Sequence, residues 1–294
     1  MPSLTSNDLT FRLDDLTDPA ARVPIGDLLA DIFEIAPAAF NTLPFWYEGY
    51  RAFSYLDGEI VAANASSFPL PLVVDGKPLS AGGIQSVATR PAYRGRGLFK
   101  DLMARLIADG EARFDCLLLY TDIPALYEPF GFRVLQQHSF FGRLPEDGTA
   151  AARRLSLARD EDRALVRRLF AARRAPSERL GLRDHEVTFF LNALWYQDWR
   201  LDHLPDVEAM VVHDRCEGRP RLLDIVGPGL PTLECLGALL EAGDQEVEIC
   251  FPPDRWDATF AARPHLDPEA GTLMARGPFP IEASKVRLPP TADF

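Results

Sequence analysis

The stretch Ser86-Val87-Ala88-Thr89-Arg90-Pro91-Ala92-Tyr93-Arg94-Gly95-Arg96-Gly97-Leu98 reads as the end of a strand, a turn at Pro91, a short basic loop and the start of a helix. The helix is expected over Gly95 to Arg113, because Leu98, Phe99, Leu102, Met103, Leu106 and Ile107 fall on one stripe. Amides at a helix N-terminus lack intrahelical partners and sit at the positive end of the dipole, which suits a phosphate. Gly95 and Gly97 let the backbone approach closely and form a concavity for an anion. Arg90, Arg94, Arg96 and Lys100 add four positive charges to a chain of net charge −12. The spacing is neither that of a P-loop nor that of a dinucleotide fingerprint. Taken alone, the loop also reads as a tight turn with solvated arginines.

Upstream, Leu9 to Leu13 is expected as a strand and Ala21 to Ile35 as a helix, with Asp18 as N-cap and Pro19 at the first helical position. Phe40 to Phe53 is aromatic-rich and is expected as a second helix. Phe53–Leu56 and Glu59–Ser66 are strand candidates around the turn Asp57-Gly58, followed by the proline-containing stretch Phe68 to Pro71. Gly83–Thr89 is a further strand. Downstream come a buried strand over Cys116–Tyr120, a helical turn over Ala125–Phe130 and two strands over Phe132–Leu144 with a break near Gln137.

Turn-forming residues from Pro145 to Thr149 mark a boundary, giving domains over residues 1–148 and 149–294. The order of elements then begins again: a strand over Arg154–Ala158, helices over Asp160–Ala172 and His185–Trp199, and strands over Val207–His213 and Arg221–Val226. A helix over Pro231–Ala242 and strands over Glu246–Phe251 and Leu273–Arg276 complete it. Strands alternating with helices imply a mixed α/β (α+β) architecture in which each half has a mixed central sheet flanked by helices. The tail from Pro278 to Phe294 shows little periodicity.

Hydrophobic residues make up 47% and charged residues 25%, enough for real cores. No stretch approaches the ~20 apolar residues of a membrane helix, and Met1 to Asp15 carries no basic apolar leader. A cytoplasmic location without membrane partners is expected. The negative charge argues against nucleic acid and leans toward a cationic or amine-bearing substrate. Cys116, Cys216, Cys235 and Cys250 form no CxxC pair, and no metal site is expected.

A second motif, Ala125-Leu126-Tyr127-Glu128-Pro129-Phe130-Gly131-Phe132, follows the 116–120 strand. Together with Arg94-x-x-Gly97 before a Leu-rich helix, it resembles the GCN5-related N-acetyltransferases, abbreviated GNAT. Their loop pattern is Gln/Arg-x-x-Gly-x-Gly/Ala, and Phe99 departs from it at the last position. The enhanced-intracellular-survival branch, with a larger apolar residue there, is more similar. The resemblance is strongest over Ala81–Val134, extends over residues 4 to 144, and in the second half covers the element order alone.

The resemblance implies tandem GNAT-like domains and an acetyl-CoA cosubstrate. Val87, Ala88 and Thr89 would meet the pantetheine arm and Arg94, Gly95, Arg96, Gly97 and Leu98 the pyrophosphate, between two strands that splay apart. It also implies transfer of acetyl to a primary amine, in a small molecule or a peptide, by direct attack in a ternary complex. Tyr127 would be the general acid, since a phenol of pKa near ~10 keeps its proton at neutral pH.

Glu34, Glu48, Asp122 and Glu128 are base candidates only as acids in the first half, and surface charge is the plainer reading. In the enhanced-intracellular-survival branch the chain's terminal carboxylate is the base, which makes Phe294 a candidate. Phe33, Phe40, Phe45, Trp46 and Tyr47 read equally as acceptor-pocket lining and as core, whereas Trp195, Tyr196 and Trp199 read as core or interface. His203 and His213 are lone histidines, for which structural roles are the default. In the second half, Gly227-Pro228-Gly229-Leu230-Pro231 offers no basic loop, so a degenerate domain without cofactor is expected there. The alternative function is an inactive acyl-CoA-binding or protein-interaction module. Homo-oligomers are left open.

Overall fold

The computed structural model describes residues 9–34, 37–265 and 271–294. Its first half contains β1 (Thr10–Asp14), α1 (Pro19–Phe33), α2 (Ala38–Thr42), β2 (Arg51–Asp57), β3 (Ile60–Val74), β4 (Lys77–Thr89), α3 (Leu98–Arg113), β5 (Cys116–Thr121), β6 (Arg133–Val134) and β7 (His138–Gly142). The second half contains β8 (Arg153–Arg154), α4 (Asp160–Ala171), β9 (Leu180–Leu182), α5 (Glu186–Trp195), β10 (Arg200–Leu204), β11 (Ala209–Cys216), β12 (Arg219–Val226), α6 (Leu233–Leu239), β13 (Val247–Ile249), β14 (Ala261–Pro264) and β15 (Thr272–Arg276). This is the mixed α/β architecture expected from the sequence.

Among the described residues the strands form two sheets. One runs β1-β2-β3-β4-β5-β15-β6 with β9 added to β3, and the other runs β14-β7-β13-β12-β11-β10-β8. Each contains one parallel step, β4 with β5 and β12 with β13. The sheets exchange strands across residue 148. β7 leaves the first half to pair with β13 and β14, and β15 returns from the second half to lie between β5 and β6.

Local chemistry accounts for most boundaries. The Asp18 carboxylate accepts from the Ala20 amide at 2.9 Å and caps α1; Ile35, the expected last residue of this helix, lies outside the described residues. The helix expected over Phe40–Phe53 is not formed. α2 stops at Thr42 ahead of Pro44, and β2 begins at Arg51. The aromatics between pack inward instead: Tyr50 is fully buried, and Trp46 meets Phe40, Tyr47 and Tyr50.

β3 runs on through Pro69 and Pro71, beyond the expected strand end at Ser66. The Pro71 carbonyl accepts from the Arg183 amide at 2.9 Å, on the side facing β9. The ring nitrogens of Pro71 and Pro69 face that side too, so neither removes a bond to β4.

Candidate active site

The parallel pairing of β4 with β5 is short. It runs from Ala81 opposite Cys116 to Ile84 opposite Leu119 and then stops, although β4 continues to Thr89. From Gln85 onward β4 is paired on its β3 side alone, and β5 is bound on its far side by β15. The two strands therefore splay, leaving the backbone of Val87, Ala88 and Thr89 with an open edge.

The splay begins at a bulge. Ser86 has φ of 56°, in the left-handed region that a serine seldom adopts, and the β3–β4 register shifts between Asn64 and Ser66. Asn64, buried on β3, holds it. Its amide donates to the Ser86 carbonyl at 2.7 Å and the Ser66 hydroxyl at 2.9 Å, and its oxygen accepts from the Ser54 hydroxyl at 2.8 Å. This polar triad escaped the sequence reading. Its signal was Asn64 itself, a large polar residue in a run of small residues destined for burial.

The loop beyond β4 is built for close approach. Gly95 and Gly97 have φ of 76° and 79°, and a Cβ placed on either would meet nothing within 4 Å. Gly97 occupies the cap position of α3, whose first backbone bond is from the Asp101 amide to the Gly97 carbonyl at 3.1 Å. The amides just before Asp101 are thus left without helical partners. The Tyr93 hydroxyl donates to Asp57 at 2.7 Å and pins the loop to the β2–β3 turn.

The four basic residues divide. Arg90 is used within the fold, donating to the Val61 carbonyl at 2.9 Å and forming an ion pair with Asp31. Arg94 and Lys100 are exposed. Arg94 donates to the Thr89 carbonyl at 3.2 Å. Arg96 lies over the Tyr93 ring and donates one Nη to the Ala92 carbonyl at 3.1 Å, while its buried Nη1 has no partner. A buried guanidinium donor without an acceptor, beside open glycines and free helix amides, fits an anionic diphosphate.

Tyr127 stands between two single 3-10 turns, Pro124–Leu126 and Glu128–Phe130, where one helical turn was expected. It is 7% exposed, and burial pushes its phenol up to about 12, so it holds its proton throughout the neutral range. Phe99, the departure from the glycine-loop pattern, packs edge-on against it.

The remaining candidates separate clearly. Glu34, Glu48, Asp122 and Glu128 are exposed. Phe33 is exposed too, whereas Phe40 and Tyr47 are buried and Phe45 meets Phe190 of α5. Trp195 and Tyr196 lie on the surface and not in the core. His213 is buried and bonded to Asp202 at 2.7 Å. Gly227-Pro228-Gly229 turns closely over Val207 and Glu208, with no basic side chain in the segment.

Phe294 packs its ring against Phe68 on β3 at 5.1 Å and against Tyr120 on β5 at 5.4 Å. Tyr120 is the residue after the last β4–β5 pair. The end of the sequence thus reaches the place where the two strands part.

Residues 37–135 match a family model described as an acetyltransferase (GNAT) domain. A search of curated proteins gives no significant match. Among solved structures, a probable N-acyltransferase from Enterococcus faecalis V583 superposes with a TM-score of 0.59 at 14% identity, covering 91% of this chain and 72% of its own. Eis1 from Mycobacterium abscessus gives 0.58 at 14% identity over 91% and 73%. A GCN5-related N-acetyltransferase from Kribbella flavida gives 0.57 at 19% identity over 95% and 74%. These likenesses extend the shared fold to both sheets. The domain built on residues 37–135 therefore belongs to the GNAT acetyltransferases.

Proposed function

We propose that this protein is an N-acetyltransferase that takes acetyl-CoA as cosubstrate and a primary amine as acceptor. The observation behind this reading is the conjunction of the open β4 edge at Val87–Thr89 with the unpartnered Arg96 Nη1 in the glycine loop. Arg94, Gly95, Arg96, Gly97 and Leu98 would hold the diphosphate, and Val87, Ala88 and Thr89 the pantetheine amides.

Bound acetyl-CoA supplies the acetyl group as an activated thioester. Free backbone amides at the strand break polarise the carbonyl. Tyr127 Oη gives its proton to the departing sulfur, which suits a phenol kept neutral by burial. The amine gives up one proton to solvent, Tyr127 gives one to the thiolate and recovers it from solvent, and the charges balance. The first-half unit, residues 1–148, is the catalytic one in this reading, with the 149–294 unit a degenerate partner that holds no cofactor. The net charge of −12 favours a cationic acceptor.

The test is acetyl-CoA turnover with spermidine, butylamine and glycinamide, for wild type and Tyr127→Phe. A drop of about 10²-fold in kcat with unchanged acetyl-CoA binding supports the acid role. Normal turnover by Tyr127→Phe would remove it. Tight acetyl-CoA binding without transfer to any of these amines would favour an acyl-CoA-binding module.

A further inference from the structure

Gln85 stands alone between two landmarks of β4. It follows Ile84, the last residue paired with β5, and precedes Ser86, whose left-handed φ marks the bulge. Ile84 and its partner Leu119 both sink into the core under α3, with Leu102 and Leu106. Side chains alternate along a strand, so Gln85 takes the opposite face, beside Ser66 of β3. That face is packed by α1 and by the aromatics before β2, and Tyr50 and Phe68 are buried there. Tyr120, the next residue on β5, packs against the same core.

The Gln85 amide is used at one end. Its Nε2 donates to the Tyr50 hydroxyl at 3.1 Å. Tyr50 is fixed in turn. Its ring stacks on Tyr47 at 5.9 Å and meets Trp46 at 5.3 Å, and the Ser66 and Ser86 hydroxyls also bond its oxygen. Gln85 Oε1 has no hydrogen-bond partner among the described residues, and the side chain is half-buried where the strands part. Asn64 on β3 gives the contrast. It is buried, and both ends of its amide are spent inside the fold. Capping the Tyr50 hydroxyl occupies half of the Gln85 amide and leaves a neutral acceptor at the splay.

A primary amine that attacks a carbonyl carbon spends its lone pair and keeps two N–H donors. Each of them needs an acceptor once water is excluded. A carboxamide oxygen supplies one without taking a proton, so its part is to aim the lone pair and not to act as base. The face matters as well. Tyr127, the proposed acid, is buried in the α3 core, so proton delivery and amine entry fall on opposite faces of the sheet. We propose that Gln85 Oε1 binds the attacking amine at the splay by accepting one of its N–H hydrogens, and that Tyr50 is the positioning residue that keeps this oxygen turned outward. This inference rests on the reading of the protein as an N-acetyltransferase acting on a primary amine.

The test compares wild type, Gln85→Met, Tyr50→Phe and the double variant. Butylamine binding to protein saturated with CoA is titrated by saturation-transfer NMR, and turnover is measured with acetyl-CoA and butylamine. Thermal midpoints report folding. Gln85→Met keeps the length of the side chain and should raise the Kd and KM for butylamine about tenfold, the scale of one hydrogen bond. The KM for acetyl-CoA should stay unchanged. Tyr50→Phe should raise the butylamine values several-fold, and the double variant should be no weaker than Gln85→Met, because Tyr50 acts through Gln85. Should Gln85→Met fail to fold, Tyr50→Phe carries the same expectation. Wild-type butylamine affinity in a folded Gln85→Met would overturn the proposal and leave the acetyltransferase reading standing. Losses that add in the double variant would remove the positioning role of Tyr50. If wild type binds butylamine through Gln85 but transfers acetyl to no amine, the acetyltransferase reading falls and the amine site stands. If wild type binds no butylamine, the amine site falls.

Discussion

The ring of Phe99 meets the ring of Tyr127 edge-on, with centroids 5.8 Å apart and planes at 86°, and meets Phe130 in the same way at 5.6 Å and 90°. The residue that breaks the glycine-loop pattern thus turns away from the loop and braces the 3-10 turns that carry the proposed acid. Phe99→Ala should lose both contacts and cost about 2–4 kcal/mol in stability. Urea unfolding measures that cost. Because the brace acts on Tyr127 and not on the glycine loop, kcat should fall while acetyl-CoA affinity stays near wild type. Weakened affinity with normal kcat would place Phe99 on the cofactor side instead.

Arg90 and Arg96 make a matched pair for calorimetry. Arg96 offers a buried donor with no acceptor, whereas Arg90 is already engaged by Asp31 and the Val61 carbonyl. Arg96→Ala should weaken acetyl-CoA binding about 10- to 100-fold, since a charge-assisted bond to phosphate is lost. Arg90→Ala should leave affinity within about threefold, its cost falling on stability. Equal losses in both variants would mean that the loop attracts the ligand by net charge alone.

The glycine-containing loop, the α3 stripe and the strand before it were legible because glycine, arginine and periodic leucine each carry a local physical meaning. What escaped is set by distant partners. No local pattern says that β7 leaves for the second sheet or that β15 returns to lie between β5 and β6. The expected strand stopped at Ser66, short of the prolines of β3, whose harmlessness depends on which side β9 occupies. The aromatics from Phe40 to Tyr50 mimic a helix in composition, yet ring-on-ring packing holds them outside one. The terminal segment shows no periodicity, and its placement depends on Asp224 and Asn192.

Asn64 gives a test of the bulge. Its amide donates to the carbonyl of Ser86, the residue with the left-handed φ. Asn64→Ala should leave the Ser86 carbonyl and the Ser54 and Ser66 hydroxyls short of partners, at a cost of about 2–3 kcal/mol. As β4 relaxes, the KM for acetyl-CoA should rise several-fold. A variant that unfolds as wild type and binds acetyl-CoA normally would show that the bulge is set by the chain around it and not by Asn64.

The second sheet supplies a prediction in pH. Asp202 on β10 accepts from His213 at 2.7 Å and from Arg154 at 2.7 and 3.0 Å. Burial works to raise its pKa, but these two partners prevail and bring it from 3.8 to about 2. A carboxyl whose folded pKa is depressed stabilises the fold above its unfolded pKa and loses that contribution as pH falls toward the folded one. Asp202 should therefore add about 1–2 kcal/mol at neutral pH, after allowance for screening at the half-exposed Arg154, and lose it between about pH 4 and pH 2. Urea unfolding of wild type and Asp202→Asn checks this. The stability gap should be widest near pH 7 and shrink steadily below pH 4. A gap that stays constant down to pH 2 would mean that Asp202 contributes through packing and neutral hydrogen bonds, with no part for its charge.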